Sequence, residues 1–116
     1  MDIQKSSNNP VVLITGGGKG FGKALVRDYL KNNWRVASVT RSEGDFADVI
    51  EEYGLNNSKD CAKLRYIDVT DFSKIEEFIY EINCDWGGVD VLINNAGMRF
   101  RREFLDIKVE EFQQVM

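Results

Sequence analysis

The sequence has 116 residues, of which 43% are hydrophobic and 29% charged, with a formal net charge of −4. That composition suits one small globular domain rather than a disordered or fibrous chain, and its acidic balance disfavours nonspecific binding to nucleic acid. There is no histidine, and Cys61 and Cys84 form no C-x-x-C pair; this argues against zinc-type metal sites and against any triad with a histidine base.

The first nine residues, MDIQKSSNN, are polar and read as a flexible tail, with no apolar core of a signal peptide. No apolar run approaches a membrane span, so the expectation is no membrane partner and a reducing, cytoplasmic location. Val11–Thr15 is nearly all apolar, as expected for a strand buried on both faces. Phe21, Ala24, Leu25 and Tyr29 then recur at helical spacing, and that helix should stop near Lys31-Asn32-Asn33. Residues 35–40, RVASVT, read as a second strand. Asp45 is placed to cap a helix with Phe46, Val49, Ile50 and Tyr53 on its apolar face, closed by Gly54.

Residues 63–67, KLRYI, read as a third strand. Ser73 and Glu76 have capping-box spacing, followed by a helical face of Ile75, Phe78, Ile79 and Ile82. Trp86-Gly87-Gly88 reads as a turn, and residues 89–93, VDVLI, as a fourth strand that runs into Asn94-Asn95-Ala96-Gly97. A last helix is expected from about Asp106, with Val109, Phe112 and Met116 inward. Arg99-Phe100-Arg101-Arg102 reads as a solvated loop, with phosphate binding as the sharper alternative. Both cysteines read as small buried or half-buried side chains. The order βαβαβαβα implies a parallel sheet with right-handed crossovers, an α/β fold.

Between the first strand and the first helix, five glycines fall within residues 16–22. Glycine is costly to fix, so this density calls for something that must approach the backbone closely. A strand, a glycine turn and a helix N-terminus together favour an anion. G-x-G-x-x-G is not met by any set of these glycines. Gly17, Gly22 and Lys23 match G-x-x-x-x-G-K, but Ala24 follows where a P-loop needs a hydroxyl for Mg²⁺. T-G-x-x-x-G-x-G is met by Thr15, Gly16, Gly20 and Gly22.

That last pattern, together with Asn94-Asn95-Ala96-Gly97 after the fourth strand and Asp68-Val69 after the third, resembles the short-chain dehydrogenase/reductase family. The resemblance runs from Val11 to Met116. It implies a Rossmann-type sheet in the order 3-2-1-4 with helices on both faces. It further implies that Thr15, Gly16, Gly18, Lys19, Gly20, Phe21 and Gly22 form the pyrophosphate turn. Asp68 and Val69 would hold the adenine, and Asn95, Ala96 and Gly97 would line a ribose. One of the two adjacent amides, Asn94 or Asn95, can instead serve only to hold the sheet edge.

Cofactor choice turns on the end of the second strand, where enzymes that prefer NAD carry an acid for the ribose 2′-hydroxyl. Here Thr40 is uncharged, Arg41 follows and Ser42 adds a neutral donor. With Lys19 from the glycine turn, this favours NADP over NAD, since paired N–H donors suit a 2′-phosphate. Glu43 could reach a hydroxyl instead. The family's Tyr-x-x-x-Lys pair is missing: four residues beyond Tyr29, Tyr53, Tyr66 and Tyr80 stand Asn33, Asn57, Thr70 and Cys84. The expectation is therefore residues 10–116 as the N-terminal part of a dinucleotide-binding domain, truncated in its last helix. It would carry no catalytic residue and no metal ligand. Its parent would be an NADP-dependent oxidoreductase acting on a carbonyl or secondary alcohol, and a homo-oligomer. The alternatives are a non-catalytic NAD(P)-binding or redox-sensing module and, third, a P-loop nucleotide-binding protein.

Overall fold

In a computed structural model, residues 9–55 and 61–95 are described, and within them strands and helices alternate. They are β1 (Val11–Thr15), α1 (Gly20–Lys31), β2 (Arg35–Thr40), α2 (Ala47–Tyr53), β3 (Ala62–Tyr66), α3 (Phe72–Trp86) and β4 (Val91–Asn94). All strand pairs are parallel, and the sheet order is β3-β2-β1-β4. The expected order 3-2-1-4 is met, and with it the partial Rossmann-type α/β fold.

The period of two along the strands divides the core into two layers. Val11 and Leu13 of β1, with Ala37 and Val39 of β2, pack against Ile75, Phe78, Ile79 and Ile82 of α3. Val12, Ile14 and Val36 point to the opposite face and meet Val26 of α1 and Val49 of α2. All five residues of β1 and all six of β2 are buried. The near-continuous apolar run of β1 thus follows from its central position between two helical layers.

Several local expectations give way to the fold. Phe21 and Ala24 are exposed, Phe21 at 71%. The inner stripe of α1 instead runs through Gly22 and Val26, with Leu25, Tyr29 and Leu30 beside them. Gly22 must face the strand-turn junction, and the residues one turn on follow it inward. Asp45 does not cap α2: the N-cap is Phe46, without a side-chain cap, and the Asp45 carboxylate accepts the Thr40 hydroxyl at 2.9 Å instead. Gly54 does close α2 in the left-handed conformation.

Asp71, rather than Ser73, caps α3 by accepting from the Lys74 N–H. An N-cap carboxylate two residues earlier satisfies the same helix end, and Ser73 and Glu76 lie inside the helix. Trp86 is the last residue of α3, followed by left-handed Gly87. β3 covers 62–66 rather than 63–67, and β4 covers 91–94 rather than 89–93. Asp90 sits before β4, where its carboxylate accepts the Val11 N–H at 2.8 Å. Cys61 is half-buried and Cys84 is exposed. Arg99–Arg102 and the helix expected from Asp106 lie outside the described residues.

Candidate functional site: the crevice at the ends of β1 and β4

The chain leaves β1 in one direction, to β2 and β3, then crosses back to place β4 on the other side of β1. Strand order reverses there, and in open α/β sheets ligands bind outside the carboxyl ends of the strands at such a point. The register sets Thr15 directly beside Asn94. The Thr15 hydroxyl donates to Asn94 Oδ1 at 2.8 Å and accepts the Asn95 N–H at 2.9 Å. Asn95 Nδ2 in turn donates to the Gly16 carbonyl at 3.3 Å. Both asparagines therefore brace the seam. Sequence reasoning left open whether one amide does so; the answer is that each takes one part of the brace.

The glycine turn is pressed onto this seam and onto β2. Gly16 has φ 70°, a conformation that favours glycine. The N–H groups of Gly16 and Gly17 both donate to the Val39 carbonyl, at 2.9 and 3.2 Å. A Cβ on Gly22 would stand 2.6 Å from Asn95 Nδ2 and closer still to the Gly16 carbonyl oxygen. One on Gly17 would stand 2.8 Å from Val26 Cγ2 and overlap the Ser38 hydroxyl. One on Gly18 would stand 2.7 Å from both Thr40 Cβ and Asp45 Cβ. Gly17, Gly18 and Gly22 are thus demanded by packing. Gly20 has open space around it and φ 53°.

Above the turn, α1 begins at Lys19 without any side-chain cap and without an acid in its first turn. Its leading N–H groups and its partial positive charge therefore meet no carboxylate from the first turn of α1 itself. Lys19 and Phe21 are both exposed at this rim. Lys23 belongs elsewhere: its ammonium pairs with Asp48 of α2 at 3.0 Å, joined by Arg27 with Asp48 and Glu52. A lysine tied to α2 is not the phosphate-reaching lysine of a P-loop.

The strand ends carry the remaining predicted residues. Arg41 and Ser42 are exposed just beyond β2. Asp68 is exposed beyond β3, and its carboxylate accepts the Thr70 N–H at 3.0 Å and the Thr70 hydroxyl at 2.8 Å. These bonds, with the positive charge of Arg41 behind them, hold the Asp68 carboxyl below its usual range. Val69 is 6% exposed and packs into the α3-side core, so its backbone alone is available to a ligand. Ala96 and Gly97 lie outside the described residues. Sequence reasoning missed Ser38, whose hydroxyl donates to the Ile14 carbonyl at 2.6 Å beneath the turn, and Asp45 beside Gly18. A small polar residue inside a buried strand was the available signal for Ser38.

These features define an α/β domain in which a close-packed glycine turn and an uncapped helix N-terminus meet at the switch point of the sheet. Residues 10–116 match the model of the short chain dehydrogenase family, and the chain belongs to that family. It is 31% identical over 106 residues to the 3-oxoacyl-[acyl-carrier-protein] reductase FabG of Vibrio harveyi, covering 91% of this chain and 41% of that protein. It is 28% identical over 93 residues to the NADP-dependent 3-hydroxy acid dehydrogenase YdfG of Shigella flexneri, covering 80% and 36%. Among solved structures, ElxO with NADP bound superposes with a TM-score of 0.72 at 27% identity, over 92% of this chain and 52% of that one. The chain therefore spans roughly two-fifths of the curated relatives it matches. No helix among the described residues is long and apolar enough to cross a membrane.

Proposed function

We propose that this chain is the dinucleotide-holding part of an NADP-dependent oxidoreductase that transfers hydride between nicotinamide and a carbonyl or secondary alcohol. The observation that carries the proposal is the braced cradle. Thr15, Asn94 and Asn95 lock β1 to β4, Gly17, Gly18 and Gly22 pack the turn's backbone tightly onto the strand ends, Gly20 faces open space, and α1 begins there uncapped. A pyrophosphate fits such a set of donors and clearances. The relatives named for NADP support the same cofactor.

In this reading Gly16, Gly18, Gly20, Phe21 and Gly22 line the pyrophosphate. Lys19 and Arg41 take the 2′-phosphate with Ser42, Asp68 and Val69 meet the adenine, and Asn95, Ala96 and Gly97 meet the ribose. The bound nicotinamide would supply or accept the hydride; this chain's residues orient it and exclude water at the strand ends. The sequence holds no Tyr-x-x-x-Lys pair, so these 116 residues should bind dinucleotide without turning over aldehydes or ketones. A non-catalytic binding module shares that behaviour, and is separated from the main reading by turnover in a chain of the relatives' length.

The test is titration with NADPH and NADH. Arg41→Ala removes charge-assisted hydrogen bonds worth about 1.5–3 kcal/mol. NADPH binding should therefore weaken by about 10–100-fold while NADH binding changes little. Equal weakening of both, or NADH bound by the unsubstituted protein as tightly as NADPH, would refute the NADP assignment.

A further inference from the structure

An acid is missing at the end of β2, where Thr40 stands, yet a carboxylate is present there in space. Asp45 reaches back across the turn of residues 41–46, and its Oδ2 accepts the Thr40 hydroxyl at 2.9 Å. Its Cβ lies 2.7 Å from where a Gly18 side chain would begin, so Asp45 abuts the glycine turn itself. The turn is held by the Asp45 N–H, which donates to the Ser42 carbonyl at 3.2 Å.

The second carboxylate oxygen, Oδ1, has no hydrogen-bond partner among the described residues. No fully buried side-chain oxygen among the described residues lacks a partner, so Oδ1 of the half-buried Asp45 keeps some access to solvent. The Thr40 proton is committed to Asp45, which leaves Thr40 Oγ1 and the carboxylate as acceptors only. Lys19, in the glycine turn, and Arg41, next after Thr40 in the chain, are both exposed.

We propose that Asp45 is a specificity-determining residue that accepts the ribose 2′-hydroxyl of NADH and opposes the 2′-phosphate of NADPH, which limits the preference set by Lys19 and Arg41. The inference rests on the dinucleotide reading above. A 2′-hydroxyl carries a proton to donate, and an acceptor-only pair receives it. A 2′-phosphate is itself acceptor-only and anionic, so it gains nothing from Asp45 and is repelled by it. The two cations act in the opposite direction. The acid normally read at the strand end is thus delivered from five residues further on.

The test is Asp45→Asn, titrated with NADPH and NADH by calorimetry. The amide keeps an oxygen for the Thr40 hydroxyl and removes the charge. NADH affinity should fall by about 10-fold or more, the scale of a lost hydrogen bond to a charged acceptor. NADPH affinity should hold or rise, so the NADPH-to-NADH ratio grows at least 10-fold. Glu51→Gln, which removes an exposed charge from α2, should leave that ratio within about 2-fold of the unsubstituted value. A thermal melt checks that Asp45→Asn folds.

If NADPH binds and the ratio is unchanged in Asp45→Asn, or moves equally in Glu51→Gln, Asp45 only braces the turn and the inference is overturned. Should neither dinucleotide bind the unsubstituted protein, the dinucleotide reading falls and this role falls with it.

Discussion

Gly22→Ala sets two effects of opposite sign against each other. Gly22 lies in the first turn of α1, where alanine is intrinsically the better helix former by about 0.8–1.0 kcal/mol. Propensity alone would make the variant more stable. The added methyl, however, would stand 2.6 Å from Asn95 Nδ2 and 2.9 Å from the Gly16 carbonyl carbon. Contacts under 3.0 Å require something to shift, and Gly16 is backbone, with no rotamer to turn away. Overpacking of this kind costs about 1–3 kcal/mol. Displacing the Asn95 amide also loses its bond to the Gly16 carbonyl, about 1 kcal/mol more. The clash wins, and the net loss should be about 1–3 kcal/mol after the propensity gain. Urea denaturation would show this as a lower midpoint at unchanged slope. Dinucleotide binding should weaken as well, because the same methyl opens the cradle. A variant as stable as the parent or more stable would show that the turn relaxes freely and that Gly22 is not held by close approach.

Two further outcomes follow from the same contacts. Thr15→Val keeps the shape of the β1 residue but removes the hydroxyl that bonds Asn94 Oδ1 and the Asn95 N–H, and should cost about 1–3 kcal/mol in denaturant melts while Thr15→Ser costs less. Burial disfavours the Lys63 ammonium, but its hydrogen bonds to Asp85 at 2.6 Å and Glu81 at 2.9 Å outweigh burial and raise its pKa above the ordinary lysine range. A raised lysine pKa gives stability that is complete below the unfolded value, about 10.4, and lost as pH rises through the folded value. Asp85→Asn should therefore lower neutral stability by about 1 kcal/mol, as the partner is half exposed, and move the alkaline fall to lower pH; urea melts from pH 7 to 11 would show an unmoved fall if the pairing is idle.

How much could be read beforehand depended on whether local pattern and global packing agree. β1 and β2 were legible to the residue, because a central parallel strand is apolar on both faces and its ends are marked by glycine or charge. β3 and β4 shifted by one or two residues. Their flanking residues, Ile67 and Val89, are as apolar as the strands but pack against the α3-side core from loops. Capping was less legible. Asp45 and Ser73 are both reasonable cap residues by type, yet a nearer demand decided each case: Thr40 took Asp45, and Asp71 reached the α3 terminus first. Phe21 was misplaced for a different reason. Helical spacing alone does not say which of two adjacent stripes faces inward, and only the close approach of Gly22 to Gly16 settles the rotation of α1.

The cradle also shows why a glycine motif by itself under-describes this site. Gly17 and Gly18 can lie flat on the sheet only because β2 presents small side chains beneath them, Ser38 under the first and Thr40 under the second. Ser38 ties down the end of β1 through the Ile14 carbonyl, and Thr40 ties down Asp45. A larger residue at position 38 would push the turn away as surely as a methyl on Gly17 would. The close approach to β1 is likewise conditional on Asn95, whose amide holds the Gly16 carbonyl in the one place that leaves Gly22 room. The turn is therefore held by a set of complementary pairs across β1, β2 and β4 rather than by a run of seven residues alone. Substitutions at its glycines should be rescued, where they can be, by shortening the facing side chain and not by changes within the turn.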